Sequence, residues 1–391
     1  MTKALRGRFI SAVLAAVMLS GTAAVPGAAD SAPQSVGSVV LSETFDAGTF
    51  GGNVAGWNGW ELFSTAGDTY KKDTDITITN GQKEEILKSS ATKMPLQQFA
   101  EIKRTTSNST SAMYLAQKAV TVPAGNSMIN IRFRAMAGSN ANIFMLRLTN
   151  DAEKAFDINV NFYLKRPQNF LCQGLTTGNL ESTQVAYNKA LYWYDIDFLL
   201  DYTKGGAYLY VDGAPVGFSE FSESFKTNFP KPENLAAVSF GSARNGALTP
   251  NATGEGCFYL DDLTITAIPE SGRNDFIAQR LRRYVPGGVS SGNTLEGKAE
   301  TTTLAQKLPS ELYGMPVSWS CASDLVSISN GQVTVTHPKT GGDVPVQLTA
   351  AVGGASYDYP LNIAAYGVWL TENFEGSFAE KNGAGIAGWN G

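Results

Sequence analysis

The sequence contains one histidine and three cysteines among 391 residues, and both shortages exclude kinds of chemistry. Because His337 is the only histidine, the chain before it offers neither a Ser-His-Asp or Cys-His arrangement nor a histidine-based zinc site. Cys172, Cys257 and Cys321 are too few for a disulfide scaffold. Cys172 and Cys257 can pair in an oxidising compartment or stay as buried thiols, and the sequence leaves both readings open.

The sequence also lacks an apolar run of the roughly 20 residues that a membrane-spanning helix needs. Its apolar run from Phe9 to Leu19 follows Lys3, Arg6 and Arg8, which predicts a secretory signal peptide over residues 1–29. Excess positive charge is missing too: the formal net charge is −5, and removing three of the 30 basic residues against 35 acidic ones gives −8. This balance argues against a nucleic-acid partner. The signal peptide predicts a secreted or extracellular protein, with association to the cell surface left open.

Long helical patterns are scarce, whereas 40 glycines separate short runs rich in Val, Ile, Tyr, Phe and Thr. This pattern predicts an all-β protein. It breaks at residues 269–273, which we interpret as a polar linker, and residues 275–284 beyond it are compatible with a short helix. We therefore predict a first domain over residues 38–268 and a smaller β-sandwich over residues 274–365.

The end of the chain repeats its beginning. Residues 41–45 (LSETF) return as residues 370–374 (LTENF), and residues 56–59 (GWNG) return unchanged as residues 388–391. We interpret residues 366–391 as the truncated start of a second copy of the first module, and we expect this segment to be poorly ordered without its partner strands. Arrays of such modules are typical of extracellular adhesion or polysaccharide-handling proteins.

Short motifs connect the two domains to known families. Residues 43–46 (ETFD), 193–197 (WYDID) and 258–263 (FYLDDL) resemble the laminin-G-like, concanavalin-type jelly rolls. Residues 313–319 (YGMPVSW) and 328–334 (ISNGQVT) are similar to the atrophied bacterial immunoglobulin-like domains. The resemblance implies an antiparallel jelly-roll sandwich that usually binds glycans or proteins and occasionally carries catalysis, followed by an immunoglobulin-like spacer.

Counting every second residue divides the central strands into an apolar face and a polar face. If these strands are neighbours in one sheet, the polar face predicts a glycan groove, because planar polar groups hydrogen-bond sugar hydroxyls and aromatic rings stack on sugar C–H groups. The predicted ligand-binding residues are Arg132, Arg134, Arg147, Asn159, Asn161, Tyr163, Trp193 and Asp195. The alternative is an ordinary solvated sheet face with Arg and Asp paired across strands.

Two further groups of residues are candidates for a site. Trp57 and Trp60 flank a glycine-rich turn and are added to the ligand-binding set as sugar-stacking platforms, with a structural plug as the alternative. Four acids would meet if the first and last strands of the domain are adjacent, and oxygen ligands of this kind suit a structural calcium ion (Ca²⁺). These acids are Glu43, Asp46, Asp261 and Asp262. The alternative is that they are merely hydrated.

Catalysis has little support in the sequence. Glycosidases need two carboxylates at a fixed separation, yet the Glu-x-Asp-x-x-Glu motif of catalytic concanavalin-like glucanases is absent, since residues 195–201 read DIDFLLD. We therefore expect a non-catalytic, secreted modular protein that binds a polysaccharide or surface glycan. Two alternatives stay open: a structural or adhesive surface protein without sugar binding, and an accessory region of a longer polysaccharide-degrading enzyme with further modules.

Overall fold

The computed structural model describes residues 36–64, 76–80, 98–104, 114–137, 143–161, 169–172, 174–176, 179–181, 193–243, 256–291, 300–339 and 342–365. These residues form an all-β protein, as predicted, with a large two-sheet sandwich followed by a smaller one. The predicted signal peptide and the repeated segment 366–391 lie outside the described residues. In the part of the chain that is described, no helix has the length and apolar character needed to cross a bilayer.

The first sheet of the large sandwich has eight antiparallel strands in the order β13-β12-β11-β6-β15-β4-β3, with β1 also paired to β15. Its strands are β1 (Ser38–Glu43), β3 (Ile76–Asn80), β4 (Gln98–Arg104), β6 (Met128–Ala137), β11 (Tyr194–Asp201), β12 (Gly206–Val211), β13 (Ala214–Glu220) and β15 (Gly256–Ile268). The first and last strands of the domain are therefore neighbours, which is the condition for the four predicted calcium ligands to meet.

The second sheet has seven antiparallel strands in the order β10-β9-β8-β7-β14-β5-β2. Its strands are β2 (Glu61–Ser64), β5 (Tyr114–Ala119), β7 (Ile143–Thr149), β8 (Ala155–Asn161), β9 (Asn169–Cys172), β10 (Asn179–Glu181) and β14 (Ala237–Ala243). Strands β6 and β7 follow one another in the chain but belong to different sheets, which is the crossing that makes the two layers of a jelly roll.

The main core lies between these two sheets and follows the alternation of the strands. Ile131 and Phe133 of β6 and Leu146 of β7 are fully buried there, as are the rings of Trp60 and Phe240. Helix α1 (Glu223–Asn228) begins at Ser222, whose hydroxyl accepts a hydrogen bond from the Phe225 amide, and it buries the Phe225 ring against the same core. The apolar face that the sequence predicts is thus the sealed interior of the sandwich.

The smaller sandwich packs a five-stranded sheet against a three-stranded sheet. The larger of the two contains β16 (Gly288–Val289), β18 (Glu311–Leu312), β19 (Met315–Cys321), β22 (Val344–Val352) and β23 (Ala355–Ile363), and the smaller contains β17 (Thr301–Thr303), β20 (Val326–Ser329) and β21 (Gln332–Thr336). Val333, Leu348 and Leu361 are buried between them. Its membership of the immunoglobulin-like family stays a prediction.

The two sandwiches are joined by a short helical segment that is firmly packed. A 3-10 turn (Glu270–Gly272) leads into helix α2 (Arg273–Leu281), and a second 3-10 turn (Arg282–Tyr284) follows. The apolar side of α2 enters a core that also contains Met128 and Leu199 of the first sheet. The second sandwich therefore packs against the outer face of the jelly roll, and the stretch interpreted as a linker is part of this junction.

Candidate functional site

The predicted ligand-binding residues do not lie on one surface. Arg132, Arg134, Trp193 and Asp195 belong to the first sheet or its margin, whereas Arg147 belongs to the second sheet. Because the chain crosses between sheets after β6, the polar faces of β6 and β7 point away from each other on opposite sides of the sandwich. The expectation of a single groove built from neighbouring strands is therefore wrong.

The predicted set also includes Asn159, Asn161 and Tyr163. Asn159 and Asn161 are placed in β8 by the backbone, two and four residues after Asp157. Tyr163 lies outside the described residues. Arg147 and the backbone positions of the two asparagines are thus brought together on the second sheet, apart from the other predicted residues.

A row of polar side chains crosses five adjacent strands of the outer face of the second sheet. We call this set the polar row; it consists of Glu61, Gln117, Ser239, Arg147 and Asp157, which are opposite one another in strand register. Neighbouring strands are about 4.8 Å apart, so the row extends over roughly 19 Å. Each member alternates with a core residue of its own strand, such as Val238 and Phe240 on either side of Ser239.

The centre of the polar row is sheltered and its edge is open. Ser239 and Asp157 are buried, Gln117 and Arg147 are partly buried, and Glu61 is exposed. Arg147 donates to both carboxylate oxygens of Asp157, with its Nε 2.6 Å and its Nη2 2.8 Å away. The Ser239 hydroxyl donates to Gln117 Oε1 at 3.4 Å. The side chains are therefore held in place while Gln117 and Glu61 keep donors or acceptors for a ligand.

One end of the outer face of the first sheet is covered by the junction. Tyr313 of the second sandwich is fully buried there, and its hydroxyl donates to Asp197 Oδ2 at 2.7 Å. Arg280 of α2 hydrogen-bonds Asn130 and places its Nε 3.6 Å from the same Asp197 oxygen. Burial raises the pKa of Tyr313 well above its ordinary value, so its phenol stays a donor. These polar residues are structural and are closed to a polysaccharide.

Beyond the junction the same face becomes exposed and charged. Arg132 donates to both carboxylate oxygens of Asp195, at 2.9 and 2.8 Å, and Arg283 Nη2 donates to Asp195 Oδ2 at 3.1 Å. Burial alone would raise the pKa of Asp195, but the Arg132 hydrogen bonds and the nearby arginines hold it below its ordinary value. The carboxylate is therefore ionised and shared between the jelly roll and the segment that follows α2.

Next along β6, Arg134 lies over a buried aromatic cluster. Its guanidinium carbon is 5.1 Å from the centre of the Trp193 ring, and its Nη1 is 3.3 Å from Asp262 Oδ2. Trp193 is 8% exposed and packs edge-on against Phe99 at 5.3 Å between ring centres. Trp193 thus supports an arginine and does not offer a free ring face for stacking on a sugar, which corrects that part of the prediction.

The glycine-rich turn is held by a buried hydrogen-bonded cluster around Glu43. Glu43 is 4% exposed, and its Oε2 accepts hydrogen bonds from Trp60 Nε1 at 3.0 Å and Asn58 Nδ2 at 2.8 Å. Trp60 is fully buried, and the partly buried Trp57 ring packs against Phe45 with ring centres 5.8 Å apart. The prediction of a stacking platform is therefore wrong for Trp60, because its indole belongs to the core.

The four predicted calcium ligands do not form one set. The Glu43 carboxylate accepts hydrogen bonds from Phe45, Asn58 and Trp60, and in the described ranges no three acidic, histidine or cysteine side chains are placed to hold a metal. Asp261 is buried, which with the charges of Asp262 and Asp46 raises its pKa to about 7. Calcium binding by these remaining acids stays a prediction.

The hydrogen-bonded cluster around Glu43 explains which positions recur near the end of the chain. The repeated residues correspond to Leu41, Glu43 and Phe45, which are buried, and to Asn58, which has a left-handed backbone with φ of 48°. Ser42 and Thr44, the exposed positions between the buried ones, differ in the second copy. The repetition therefore preserves packing and turn geometry, and the start of a second jelly roll at residues 366–391 stays a prediction.

Several residues of these surfaces were missed by sequence reasoning. Gln117, Ser239 and Glu61 of the polar row belong to strands whose neighbours depend on long-range pairing. Extending the alternation count to β5 and β14 would have marked Gln117 and Ser239 as outward-facing. No local signal indicates that Arg283 reaches Asp195, because that contact depends on how α2 docks on the first sheet.

No protein-family model matches the chain, and no curated protein matches it. Among solved structures, the chain is similar to a sialidase (TM-score 0.37, 13% identity), with 64% of this chain and 20% of that chain covered. It is also similar to an alginate lyase solved with an alginate tetrasaccharide (TM-score 0.37, 11% identity, 59% and 97% covered). A third is a putative beta-glucanase from Mycobacterium abscessus (TM-score 0.37, 14% identity, 58% and 100% covered).

Likeness at these identities concerns the fold and assigns no residue of this chain a role. The chain spans about a fifth of the sialidase that it matches. The prediction that this chain is not an enzyme is nevertheless corrected, because several similar solved structures are named as glycan-cleaving enzymes. The missing glucanase motif excludes one reaction pattern and does not exclude catalysis as a class.

Proposed function

We propose that this is a secreted carbohydrate-recognising protein whose jelly roll holds a polysaccharide or surface glycan on the outer face of its second sheet. The observation that carries the proposal is the polar row. It places amide, hydroxyl, carboxylate and guanidinium groups side by side across five strands, with their positions fixed by strand register. Such planar groups match the vicinal hydroxyls of sugars, and a ligand would contact the row at its accessible end, at Glu61 and Gln117.

The proposal gains support from the way the row is held. The buried ion pair of Arg147 and Asp157 fixes one end, so those two groups need no reordering when a ligand arrives. The open end contains Glu61 and Gln117, which are at least partly accessible. A sugar chain would bind over Glu61 and Gln117 and run across the strands in the direction of Arg147.

The test is a glycan array with the full chain, followed by titration of any glycan that is retained. We expect Gln117→Ala to weaken binding about tenfold, since it removes an amide that contacts the ligand without disturbing the ion pair. Gln347→Ala is the matched control, because Gln347 is an exposed glutamine on β22 of the other sandwich. Retention of no glycan, or equal binding by the Gln117 variant and the wild type, would refute the proposal.

The same incubations should be assayed for new reducing ends. Cleavage of a retained polysaccharide would add a catalytic role to recognition by the jelly roll. Binding without new reducing ends would identify recognition alone for the glycans tested.

A further inference from the structure

We propose that the exposed arginines of the first sheet form a second binding site, specific for an anionic polysaccharide whose sugars carry carboxylate or sulfate groups. We call this set the arginine band; it consists of Arg132, Arg134 and Arg283. It lies on the opposite side of the sandwich from the polar row, so it does not depend on the site proposed above. It does depend on the second sandwich being docked.

The band occupies the open part of an otherwise covered face. Toward one end, Asn130 and Asp197 are buried under Tyr313, and toward the other, Trp193 and Tyr259 are buried in an aromatic cluster. Between them the side chains of Arg132, Arg134 and Arg283 are 41%, 29% and 24% exposed. Their guanidinium groups are therefore accessible where the flanking residues are not.

The hydrogen-bonding capacity of the band exceeds what its carboxylates use. Asp195 accepts three hydrogen bonds from the band, one at Oδ1 from Arg132 and two at Oδ2 from Arg132 and Arg283. Among the described residues, Arg134 donates one hydrogen bond, of 3.3 Å, to Asp262, whose side chain is 49% exposed. Each guanidinium has five N–H donors, so most donors of the band remain for a ligand. Asp197 and Asp261, both buried, also act electrostatically on Arg132 and Arg134, but neither accepts a hydrogen bond from the band in the described part of the chain.

The arginines are also held in position before a ligand arrives. The two parallel hydrogen bonds to Asp195 fix the plane of Arg132, and Arg134 lies over the Trp193 ring. An arginine that is already oriented loses less side-chain entropy on binding than a free one. Ordinary surface ion pairs lack this support from a buried aromatic ring.

The geometry favours a polymer with repeated negative charges. Arg132 and Arg134 are two residues apart on one strand face, which places their backbones about 7 Å apart. Arg283 approaches from the 3-10 turn after α2, so the site combines the jelly roll with the helical segment that joins the two sandwiches. Guanidinium groups bind carboxylate and related oxyanions through paired N–H donors, whereas a neutral glycan offers no oxyanion to accept such a pair.

The experiment measures binding of the full chain to polygalacturonate, to dextran sulfate and to neutral dextran at low and moderate salt. We expect binding to one or both anionic polymers and none to dextran. Arg134→Gln and Arg283→Gln should each weaken it about tenfold. Arg282→Gln is the matched control, since Arg282 is the neighbouring exposed arginine and its loss changes net charge equally. Melting temperatures of all variants check that the fold is intact.

The choice of probe separates the two sources of negative charge. Binding to polygalacturonate alone identifies carboxylated sugars, and binding to dextran sulfate alone identifies sulfated ones. No binding to either polymer, or an equal loss with Arg282→Gln, would overturn the proposal. Loss of binding in Gln117→Ala with none in the arginine variants would overturn it while leaving the polar row as the glycan site.

Discussion

In both sheets of the jelly roll, alternate residues of each strand point outward, but within the described residues only the outer face of the first sheet is partly covered by the second sandwich. On the second sheet, outward residues form the polar row, whose edge is open. On the first sheet, outward residues include Met128, Leu199 and Tyr210, which are buried in the core of the junction. Alternation therefore shows which residues leave the main core, whereas the apolar residues among them decide whether that face is covered by another module.

Removing the second sandwich and the joining segment would leave the outer face of the first sheet as open as that of the second sheet. A chain ending at Ile268 exposes Met128, Leu199, Tyr210 and Ile268, each at most 6% exposed in the full chain. At about 1.5 to 3 kcal/mol for each apolar side chain, the loss is about 6 kcal/mol or more. We expect the truncated chain to aggregate or unfold at much lower urea than the full chain. An unchanged urea midpoint would show that the jelly roll is independent of the junction.

A single residue of the junction tests the same dependence. Arg273 donates to both oxygens of Asp201, at 2.5 and 3.0 Å, and Asp201 is fully buried. Burial alone would raise the pKa of Asp201, but hydrogen bonds from Arg273 and Thr203 hold it below its ordinary value. Arg273→Ala leaves a buried carboxylate without its cation, so we expect about 3 to 5 kcal/mol less unfolding free energy in urea denaturation.

The control for this substitution is Arg282→Ala, since Arg282 is exposed at the end of the same helical segment. Its loss should change stability by less than about 0.5 kcal/mol. Equal effects of the two substitutions would mean that the buried pair contributes nothing specific to the docking of the two sandwiches.

The sequence predicts features that depend on neighbouring residues better than features that depend on contacts between distant parts of the chain. Alternation in β6 and β11 correctly separates Ile131 and Phe198 from Arg132 and Asp195, because side-chain direction is a local property of a strand. The assignment of Arg132 and Arg147 to one groove is wrong, since sheet membership is decided by long-range pairing. Likewise, the sequence alone predicts Trp60 as a sugar-stacking residue and Glu43 as a calcium ligand, because it does not show that the Trp60 indole donates a hydrogen bond to the Glu43 carboxylate.

Tyr313 offers a finer test of the covered face. Its hydroxyl donates to Asp197, and its backbone N–H donates to the Tyr210 hydroxyl at 3.0 Å. Tyr313→Phe keeps the packing of the ring and removes one donor to a buried carboxylate, so we expect a loss of about 1.5 to 3 kcal/mol. Tyr357→Phe is the control, because its hydroxyl also donates to a carboxylate, that of Asp275, but it is only partly buried. A smaller loss in Tyr313→Phe than in Tyr357→Phe would contradict this.

The smallest expected effect concerns pH and the exposed part of the first sheet. Burial and the charges of Asp262 and Asp46 raise the pKa of Asp261 from 3.8 to about 7, while Arg134 opposes the shift. Between these pH values the folded chain holds a proton that the unfolded chain releases. The stability from the neutral carboxyl is therefore complete below about pH 4 and is lost as pH rises through 7.

Asp261→Asn should remove this pH dependence. The asparagine side-chain oxygen can keep the 2.9 Å hydrogen bond from the Asp262 amide without acquiring charge. The upper limit is about 4 kcal/mol, and partial hydration reduces the expected gain at pH 8 to about 1 to 2 kcal/mol. Asp262→Asn should move the slope to lower pH without abolishing it, because only one of the causes is removed. Parallel stability curves for the wild type and Asp261→Asn from pH 4 to 8 would show that Asp261 is ionised throughout, as a hydrated surface acid would be.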